Sequence, residues 1–407
     1  MSTARFLPYG RHSIDDADVA AVTEVLRGDW LTTGPKVKAF EEAFAAAVGA
    51  RYAVACSSGT AALHLTALAA DIGVGDAAVV PTLTFLATAN CNRYVGAEVV
   101  FSDVDPDTGL MEAEHLEAAL ARAGDRRILA VYPVHLNGQC AELNAIRELA
   151  EKHGLMVIED ACHALGASYR PDDAGEAKIG AGAFADMAIF SFHPVKTIAM
   201  GEGGAVTTND EVLYRRLMRM RNHGMTRDAE AFTSADLAFD AEGAANPWYY
   251  EMAEPGFNYR ASDIHCALGL SQLAKLEAFV ARRRVLAERY DRLLAALAPL
   301  VQPIARTPGC TPAWHLYVVH VDFAAAGVSR ATLMRQLRDA GIGTQVHYLP
   351  LHMQPYYRRR YGPQELPGAQ TYYDRCLTLP LYPAMADSDV DRVAEALGQC
   401  LKTRPGP

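Results

Sequence analysis

Lysine is scarce in this 407-residue sequence, and one lysine stands where an amine can do chemistry. Of the seven lysines, only Lys196 is set among apolar and glycine residues, after Ser191-Phe192-His193-Pro194-Val195 and before Glu202-Gly203-Gly204. Burial strips water from an ammonium group, which lowers its pKa and leaves a nucleophilic amine. We therefore interpret Lys196 as an amine that bonds to a carbonyl carbon, with an ordinary surface lysine as the alternative.

A phosphate site is indicated by Ser58-Gly59-Thr60, which lies between a predicted strand, Tyr52–Cys56, and a predicted helix over 60–70. Amide groups at the start of a helix attract anions, and a glycine there lets a ligand approach the backbone. The simpler alternative is that Ser58 only caps the helix.

Two more candidates follow predicted strands. Asp160 ends an apolar strand, where its carboxylate can hold a protonated ring nitrogen, and the alternative is that it caps a helix over 161–166. Phe85 follows another strand-end turn and can lay its ring on a flat ligand, although an aromatic residue there is more often part of the core. The phosphate cradle, the carboxylate, the aromatic face and the amine together suit pyridoxal 5′-phosphate, whose phosphate, pyridinium nitrogen, ring and aldehyde need these four partners.

The elements that must position these residues alternate between short apolar runs and helical patterns through most of the first 280 residues. This alternation predicts an α/β fold with a mostly parallel central sheet flanked by helices. Strands over 187–192 and 204–208 are predicted to form an antiparallel edge, residues 223–255 a long surface loop, and residues 263–297 one long helix. We predict a large domain over 1–280, including an N-terminal helix, and a smaller α+β domain over 281–407.

Composition excludes several classes of function. The formal net charge of −10 argues against nucleic acid or an anionic membrane as a partner, and no transmembrane helix is predicted. The thirteen histidines and eight cysteines show no metal-binding spacing, so no metal is expected. Scattered cysteines and the absence of a signal-peptide pattern in the first nine residues favour free thiols in the cytoplasm.

The motifs resemble the sugar-nucleotide aminotransferases of the fold-type I pyridoxal-phosphate superfamily over most of the chain. The resemblance rests on Asp29-Trp30-Leu31-Thr32-Thr33-Gly34-Pro35, Ser57-Ser58-Gly59-Thr60-Ala61-Ala62-Leu63, Thr84-Phe85, Ala87-Thr88-Ala89-Asn90, Ile158-Glu159-Asp160-Ala161, the Lys196 motif with Glu202-Gly203-Gly204, Gly256-Phe257-Asn258-Tyr259-Arg260 and Val346-His347-Tyr348. It implies a homodimer with shared active sites that acts on a nucleotide-linked keto sugar and L-glutamate.

Carried over residue by residue, the resemblance implies that Lys196 is the catalytic residue that carries the cofactor and that Asp160 holds its ring nitrogen. The other implied cofactor contacts are Ser58, Gly59, Thr60, Phe85 and Ser191, with Asn258 reaching over from a neighbouring subunit. His163 stands where many members have glutamine, near the 3-hydroxyl group of the cofactor. The residues implied for the substrate pocket are Tyr9, Trp30, Leu31, Thr32, His347 and Tyr348.

Within the family, Cys162-His163-Ala164-Leu165-Gly166, His193-Pro194-Val195-Lys196 and Gly343-Thr344-Gln345-Val346-His347-Tyr348 are most similar to the transaminase of the pseudaminic acid pathway. That similarity implies amination at C4 of UDP-2-acetamido-2,6-dideoxy-β-L-arabino-hex-4-ulose for a cell-surface polysaccharide. The alternatives are C4 or C3 amination of another nucleotide-linked keto sugar, a pyridoxal-phosphate sugar dehydratase and a non-catalytic regulator. The dehydratases carry histidine at the position of Lys196.

Overall fold

The computed structural model describes residues 5–171 and 175–402. Residues 1–4, which begin the nine-residue stretch without a signal-peptide pattern, lie outside the described residues. Within the two described ranges, no helix combines the length and the apolar character needed to cross a membrane.

The helices and strands follow the predicted alternation closely in the first half of the chain. The helices are α1 Asp16–Arg27, α2 Pro35–Val48, α3 Gly59–Ala69, α4 Leu86–Tyr94, α5 Ala113–Ala123, α6 Leu143–His153, α7 Glu211–Arg221, α8 Ala235–Ala238, α9 Asp263–Leu273, α10 Leu276–Leu294, α11 Arg330–Asp339, α12 Pro355–Tyr361, α13 Pro367–Arg375 and α14 Asp387–Lys402. The strands are β1 Tyr52–Cys56, β2 Asp76–Pro81, β3 Glu98–Ser102, β4 Arg127–Val131, β5 Met156–Asp160, β6 Ser168–Tyr169, β7 Ala177–Lys178, β8 Met187–Ser191, β9 Gly204–Thr208, β10 Met225–Thr226, β11 Glu251–Met252, β12 Val301–Pro303, β13 Cys310–Thr311, β14 Tyr317–Val321 and β15 Cys376–Leu379.

The central sheet has seven strands in the order β1-β9-β8-β5-β4-β2-β3. Among these described strands, β9 alone runs antiparallel to its neighbours, so the sheet is mostly parallel as predicted. The predicted antiparallel pairing of β8 and β9 on this sheet is confirmed, but their predicted place at its edge is wrong, because β8 also pairs in parallel with β5 and β9 lies between β8 and β1. Strands β8 and β9 are consecutive along the chain, so their pairing is local, but the pattern of apolar residues does not show which strand covers the far side of β9.

The uncharged stretch from Tyr52 to Ala70 consists of β1 and α3. Nearly every residue of α3 is buried, since the helix packs against the sheet on one side and against α4 and α7 on the others. A helix covered on several faces is apolar all round, which explains the absence of charge in this stretch.

The predicted long helix over 263–297 is wrong as a single element, because it breaks between α9 and α10. The break turns Lys275 toward α1, where its Nζ lies 2.6 Å from Asp18 Oδ2 and 2.8 Å from Asp15 Oδ1. Asp18 is buried and also accepts a hydrogen bond from Gln272 Nε2 at 2.7 Å. The helical spacing of apolar residues does not predict this ion pair, because its partners lie in distant segments of the chain.

The predicted loop over 223–255 is partly structured. Within it, β10 pairs with β11 and a short helix, α8, lies between them. The carboxylate of Glu251 links separate parts of the loop, since it accepts hydrogen bonds from the backbone N–H groups of Thr233 and Ser234 and from Tyr249 Oη.

Helix α10 connects two parts of the hydrophobic core. Leu276 and Val280 pack in one cluster with residues of α2, whereas Leu286, Tyr290 and Leu294 pack in another with residues of β14 and α14. The predicted domain boundary at residue 280 lies inside this helix, near the point where it passes from one cluster to the other. The boundary stays a prediction.

Arg283 is fully buried in the middle of α10. Its Nη1 donates to the carbonyl oxygens of Trp314, His315 and Leu381, at 3.3, 3.1 and 2.9 Å. No ion pair to Arg283 occurs among the residues that the structure describes, and burial lowers its pKa to about 10. The guanidinium group therefore acts as a buried clamp on two chain segments, one with Trp314 and His315 and one with Leu381.

Replacing Arg283 with alanine should lower the free energy of unfolding by about 3 kcal/mol, because three buried carbonyl groups lose a charged donor. Urea denaturation followed by circular dichroism measures the change. Arg292→Ala, at an exposed position of the same helix, is the matched control and should cost less than about 0.5 kcal/mol. Equal losses in the two variants would contradict the clamp.

Candidate active site

A cavity of about 630 Å³ opens at the carboxyl ends of β1, β2, β5 and β8. This is the edge where ligands bind in open α/β sheets. The predicted site residues that line it are Tyr9, Ser58, Gly59, Thr60, Phe85, Asp160, His163, Ser191, Lys196, His347 and Tyr348. The fold thus brings most of the sequence candidates to one place.

The Ser58-Gly59-Thr60 turn forms a close-packed cradle at the start of α3. Ser58 caps the helix, since its Oγ accepts the Ala61 N–H at 3.1 Å, and its own hydroxyl proton stays available for a ligand. A Cβ on Gly59 would lie 2.8 Å from Ser191 Cβ, and a Cβ on Gly204 would lie 2.4 Å from Ser58 O. Both glycines are required for β1, β8 and β9 to meet here.

The two acidic residues that end β5 face opposite sides. Asp160 lines the cavity, and its Oδ2 accepts the hydroxyl of Thr88 at 2.7 Å while its Oδ1 accepts the Cys162 N–H at 3.2 Å. Glu159 faces away, 3.4 Å from His135 Nε2. The segment after Asp160 forms turns rather than the helix considered as an alternative.

Lys196 lies in the turn between β8 and β9, half-buried on the cavity wall. Its backbone N–H donates to His193 O at 2.8 Å, which closes the turn. Burial lowers the pKa of its ammonium group, and the nearby Cys162 and Asp160 oppose that shift only in part. The side chain is therefore disposed to act as an amine, and the interpretation as an ordinary surface lysine is wrong.

Three histidines lie beside Lys196 and remain neutral. Burial, reinforced by the charge of Lys196, holds the pKa of His163 well below its usual range and lowers that of His347 to about 3. The backbone N–H of Asn137 donates to His163 Nδ1 at 3.3 Å, so the neutral ring carries its proton on Nε2, 3.2 Å from Tyr348 Oη. The ring of His315 lies 4.4 Å from that of His163.

Aromatic rings form the outer wall. Phe85 is 55% exposed at the cavity mouth, 6.2 Å from the ring of Tyr348, so the core interpretation of Phe85 is wrong. The ring of Tyr9 lies 5.4 Å from that of His347, whose Nδ1 is 2.8 Å from Thr378 Oγ1. These rings offer flat faces to a bound ligand.

Four predicted site residues do not line the cavity of their own chain: Trp30, Leu31, Thr32 and Asn258. Trp30 and Leu31 are exposed, and Thr32 pairs with Ser262 in an isolated bridge. Asn258 pairs with Asn222. Their roles stay predictions, and they require a second subunit if they are to reach a site.

Sequence reasoning missed several residues of the cavity wall. Thr88 occurs in the Ala87-Thr88-Ala89-Asn90 motif, but only its hydrogen bond to Asp160 gives it a role. His315, Gln345 and Gln354 also line the cavity. Gln345 occurs in the motif that contains His347 and Tyr348 but was given no role, and no local pattern singles out His315 or Gln354.

One group of possible metal ligands occurs in the described part of the chain, formed by Glu112, Glu114 and His115. His115 Nδ1 accepts the Glu112 N–H at 3.1 Å, and the Glu112 side chain accepts the His115 N–H, so the pair caps α5. Capping accounts for this group, which lies outside the cavity wall.

The cavity residues fit pyridoxal phosphate. The cradle has no side chain at Gly59 and Gly204, where a Cβ would collide, and the first amides of a helix have no partner within the helix. Each carboxylate oxygen of Asp160 accepts one hydrogen bond, Oδ2 from Thr88 and Oδ1 from Cys162, and keeps a second lone pair with which it can accept a hydrogen bond from a ring nitrogen. The exposed ring of Phe85 and the amine of Lys196 complete the set.

Comparisons with known proteins agree with this chemistry. Residues 12–398 match the model of the DegT/DnrJ/EryC1/StrS aminotransferase family. The spore coat polysaccharide biosynthesis protein SpsC of Bacillus subtilis is 41% identical over 400 residues, which cover 98% of this chain and 97% of SpsC.

Two solved structures illustrate the structural likeness. Helicobacter pylori PseC, an aminotransferase involved in the biosynthesis of pseudoaminic acid, has a TM-score of 0.85 and 27% identity, covering 98% of this chain and 100% of PseC. The putative sugar aminotransferase Spr1654 from Streptococcus pneumoniae, in its PLP form, has a TM-score of 0.84 and 27% identity, covering 98% and 99%.

Replacing Thr88 with valine should weaken the binding of pyridoxal phosphate about tenfold, because Asp160 loses the hydroxyl that orients its carboxylate. Fluorescence titration of the cofactor-free protein gives the dissociation constant. Thr66→Val is the matched control, since the buried hydroxyl of Thr66 donates to Leu63 O within its own helix. An unchanged constant in Thr88→Val would contradict this role.

The neutral state of His347 makes stability depend on pH. Its pKa is about 3 in the folded protein and about 6.5 when unfolded, so the unfolded chain binds more protons between these values and stability falls as pH decreases. His347→Asn should reduce the slope of the free energy of unfolding by about 1 kcal/mol per pH unit between pH 6 and 4. Urea denaturation at each pH measures it, and parallel curves throughout would contradict the prediction.

Proposed function

The chain belongs to the DegT/DnrJ/EryC1/StrS aminotransferase family, whose members use pyridoxal phosphate, and from this premise we propose its substrates. We propose that it transfers an amino group from L-glutamate to C4 of a UDP-linked 4-keto-6-deoxy-N-acetylhexosamine. The observation that carries the proposal is the convergence of Lys196, Asp160 and the Ser58 cradle on one cavity. The relatives named above support a keto sugar as acceptor, since one is a spore coat polysaccharide protein and another an aminotransferase for pseudoaminic acid.

The residues of the cavity have different roles in the proposed reaction. When bound, pyridoxal phosphate accepts the electron pair that the donor's α-carbon keeps after losing a proton. The Nζ of Lys196, with its lowered pKa, takes that proton and later returns one to C4 of the sugar. Asp160 accepts hydrogen bonds from Thr88 and Cys162, which fix its carboxylate in place to accept a further hydrogen bond from the protonated ring nitrogen.

The phosphate cradle and the histidines fix the position of the ligand. Ser58, Gly59, Thr60 and Ser191 hold the cofactor phosphate through amides and hydroxyls. His163 donates from Nε2 toward Tyr348, which keeps both polar groups satisfied beside Lys196. Because burial holds the pKa of His163 well below its usual range, its ring does not compete with Lys196 for the proton.

The site of one chain is short of positive charge. Among the described residues that line the cavity, Lys196 is the sole lysine or arginine, yet a sugar diphosphate and the two carboxylates of glutamate require cations or many hydrogen-bond donors. A net charge of −10 gives no help at long range. We therefore propose a homodimer with shared active sites, in which Trp30, Leu31, Thr32 and Asn258 serve the neighbouring site.

Three substrate contacts are proposed from the chain's own wall. Tyr9, His347 and Tyr348 line the cavity with their rings in contact, and they offer rings and hydroxyls to a sugar. Gln345 and Gln354 add amide groups that suit sugar hydroxyls and an N-acetyl group.

The substrate proposal predicts that UDP-linked 4-keto sugars are aminated fastest. A glutamate-dependent assay with UDP-, GDP- and dTDP-linked 4-keto sugars should show at least about a tenfold preference in kcat/KM for UDP. Lys196→Ala should retain the cofactor but lose turnover, whereas Lys178→Ala, whose exposed amine contacts Ala47 O, should keep full activity. Equal rates with all three nucleotides would contradict the UDP assignment, and turnover by Lys196→Ala would contradict the mechanism.

Shared sites predict complementation between inactive variants. In a mixed dimer, one subunit carries Lys196→Ala and the other carries Asn258→Ala. One of its two sites has both residues intact only if each site takes Lys196 from one subunit and Asn258 from the other. Random reassortment of equal amounts should therefore restore about a quarter of the wild-type activity. Two residues acting within one subunit would leave every site in the mixture defective, so an inactive mixture would overturn the shared site.

A further inference from the structure

Two cysteines that the proposed reaction does not use lie in contact. The Sγ atoms of Cys140 and Cys310 are 3.0 Å apart, although 170 residues separate them along the chain. A disulfide bond has a length of about 2.05 Å, so the sulfurs need to move only about 1 Å toward one another. Both cysteines are free thiols in this structure.

The surroundings distinguish the two thiols. Cys140 is fully buried, whereas Cys310 is partly exposed and so is the one that a dissolved oxidant reaches. The backbone N–H of Cys140 donates to Cys310 Sγ at 3.0 Å. Hydrogen bonding from Cys140 lowers the pKa of Cys310, and the same contact raises that of Cys140 well above its usual value. Cys310 is thus the attacking thiolate and Cys140 the resolving thiol.

The pair lies at the junction of two chain segments behind the active site. The Ala313 N–H donates to Gly138 O and the His315 N–H to Asn137 O, both at 3.0 Å. Asn137 in turn donates to His163. A covalent bond between Cys140 and Cys310 would join these segments, and neither cysteine lines the cavity.

We propose that Cys140 and Cys310 form a reversible disulfide when the protein meets a peroxide. The Cys310 thiolate attacks a peroxide oxygen, the O–O bond breaks, and Cys310 becomes a sulfenic acid as hydroxide leaves and takes up a proton. The Cys140 sulfur then attacks Cys310 Sγ, the S–O bond breaks and water leaves. Two thiols lose two electrons in total, and one hydrogen peroxide is reduced to two waters.

The first experiment locates the bond in the intact protein. Wild-type protein is treated with one equivalent of hydrogen peroxide, alkylated, digested without reductant and analysed by mass spectrometry. A Cys140–Cys310 linked peptide that disappears after dithiothreitol is the expected result. Conversion of Cys310 to a sulfinic acid without a linked peptide would overturn the proposal, as would a linkage through other cysteines.

The second experiment uses matched variants. Oxidation should raise the Tm of wild-type protein by about 5 °C, because the new bond constrains a long loop of the unfolded chain. Cys310→Ser should lose this shift, and Cys400→Ser, at a partly exposed cysteine of α14, should keep it. A shift that persists in Cys310→Ser, or that is absent in wild type, would refute the pairing independently of any assay of amino transfer.

Discussion

The close approach of β9 to the Ser58 turn is the constraint on which the site depends. Gly204 pairs with Cys56 on one side and with Ser191 on the other, so one residue joins the ends of β1 and β8. A Cβ at this position would collide with the carbonyl of Ser58. With glycine there, the cradle and the turn that carries Lys196 close on each other, and the proposed phosphate site and the amine share one cavity.

Low polarity around the amine determines the protonation of its neighbours. The buried histidines His163, His315 and His347 lie beside the half-buried Lys196, and burial disfavours the charged form of all four groups. Asp160 lines the same cavity, and Thr88 and the Cys162 amide hydrogen-bond to its carboxylate. The result is a hydrogen-bonded carboxylate, one amine of lowered pKa and neutral histidines. This distribution suits proton transfer at a carbon atom next to a flat ring.

Buried polar links hold the smaller C-terminal part against the sheet. Arg283 clamps three carbonyl groups, and one of them belongs to His315 on the cavity wall. The segment that contains His315 also bonds to the turn that orients His163. Residues far from Lys196 in sequence thereby position the histidines beside it, and the Cys140–Cys310 contact lies in the same junction.

The sequence by itself determined the order of the elements in the first half of the chain and the mostly parallel sheet, and it singled out Lys196 as the candidate amine, because periodicity, turn residues and a scarce lysine are local properties of the chain. It also determined the candidates Ser58, Asp160 and Phe85. Only the tertiary structure decided that β9 lies inside the sheet, that the long helix breaks at Lys275 and that Thr88 orients Asp160. Each of these depends on a contact between segments distant along the chain, and a pattern of neighbouring residues contains no information about such a partner.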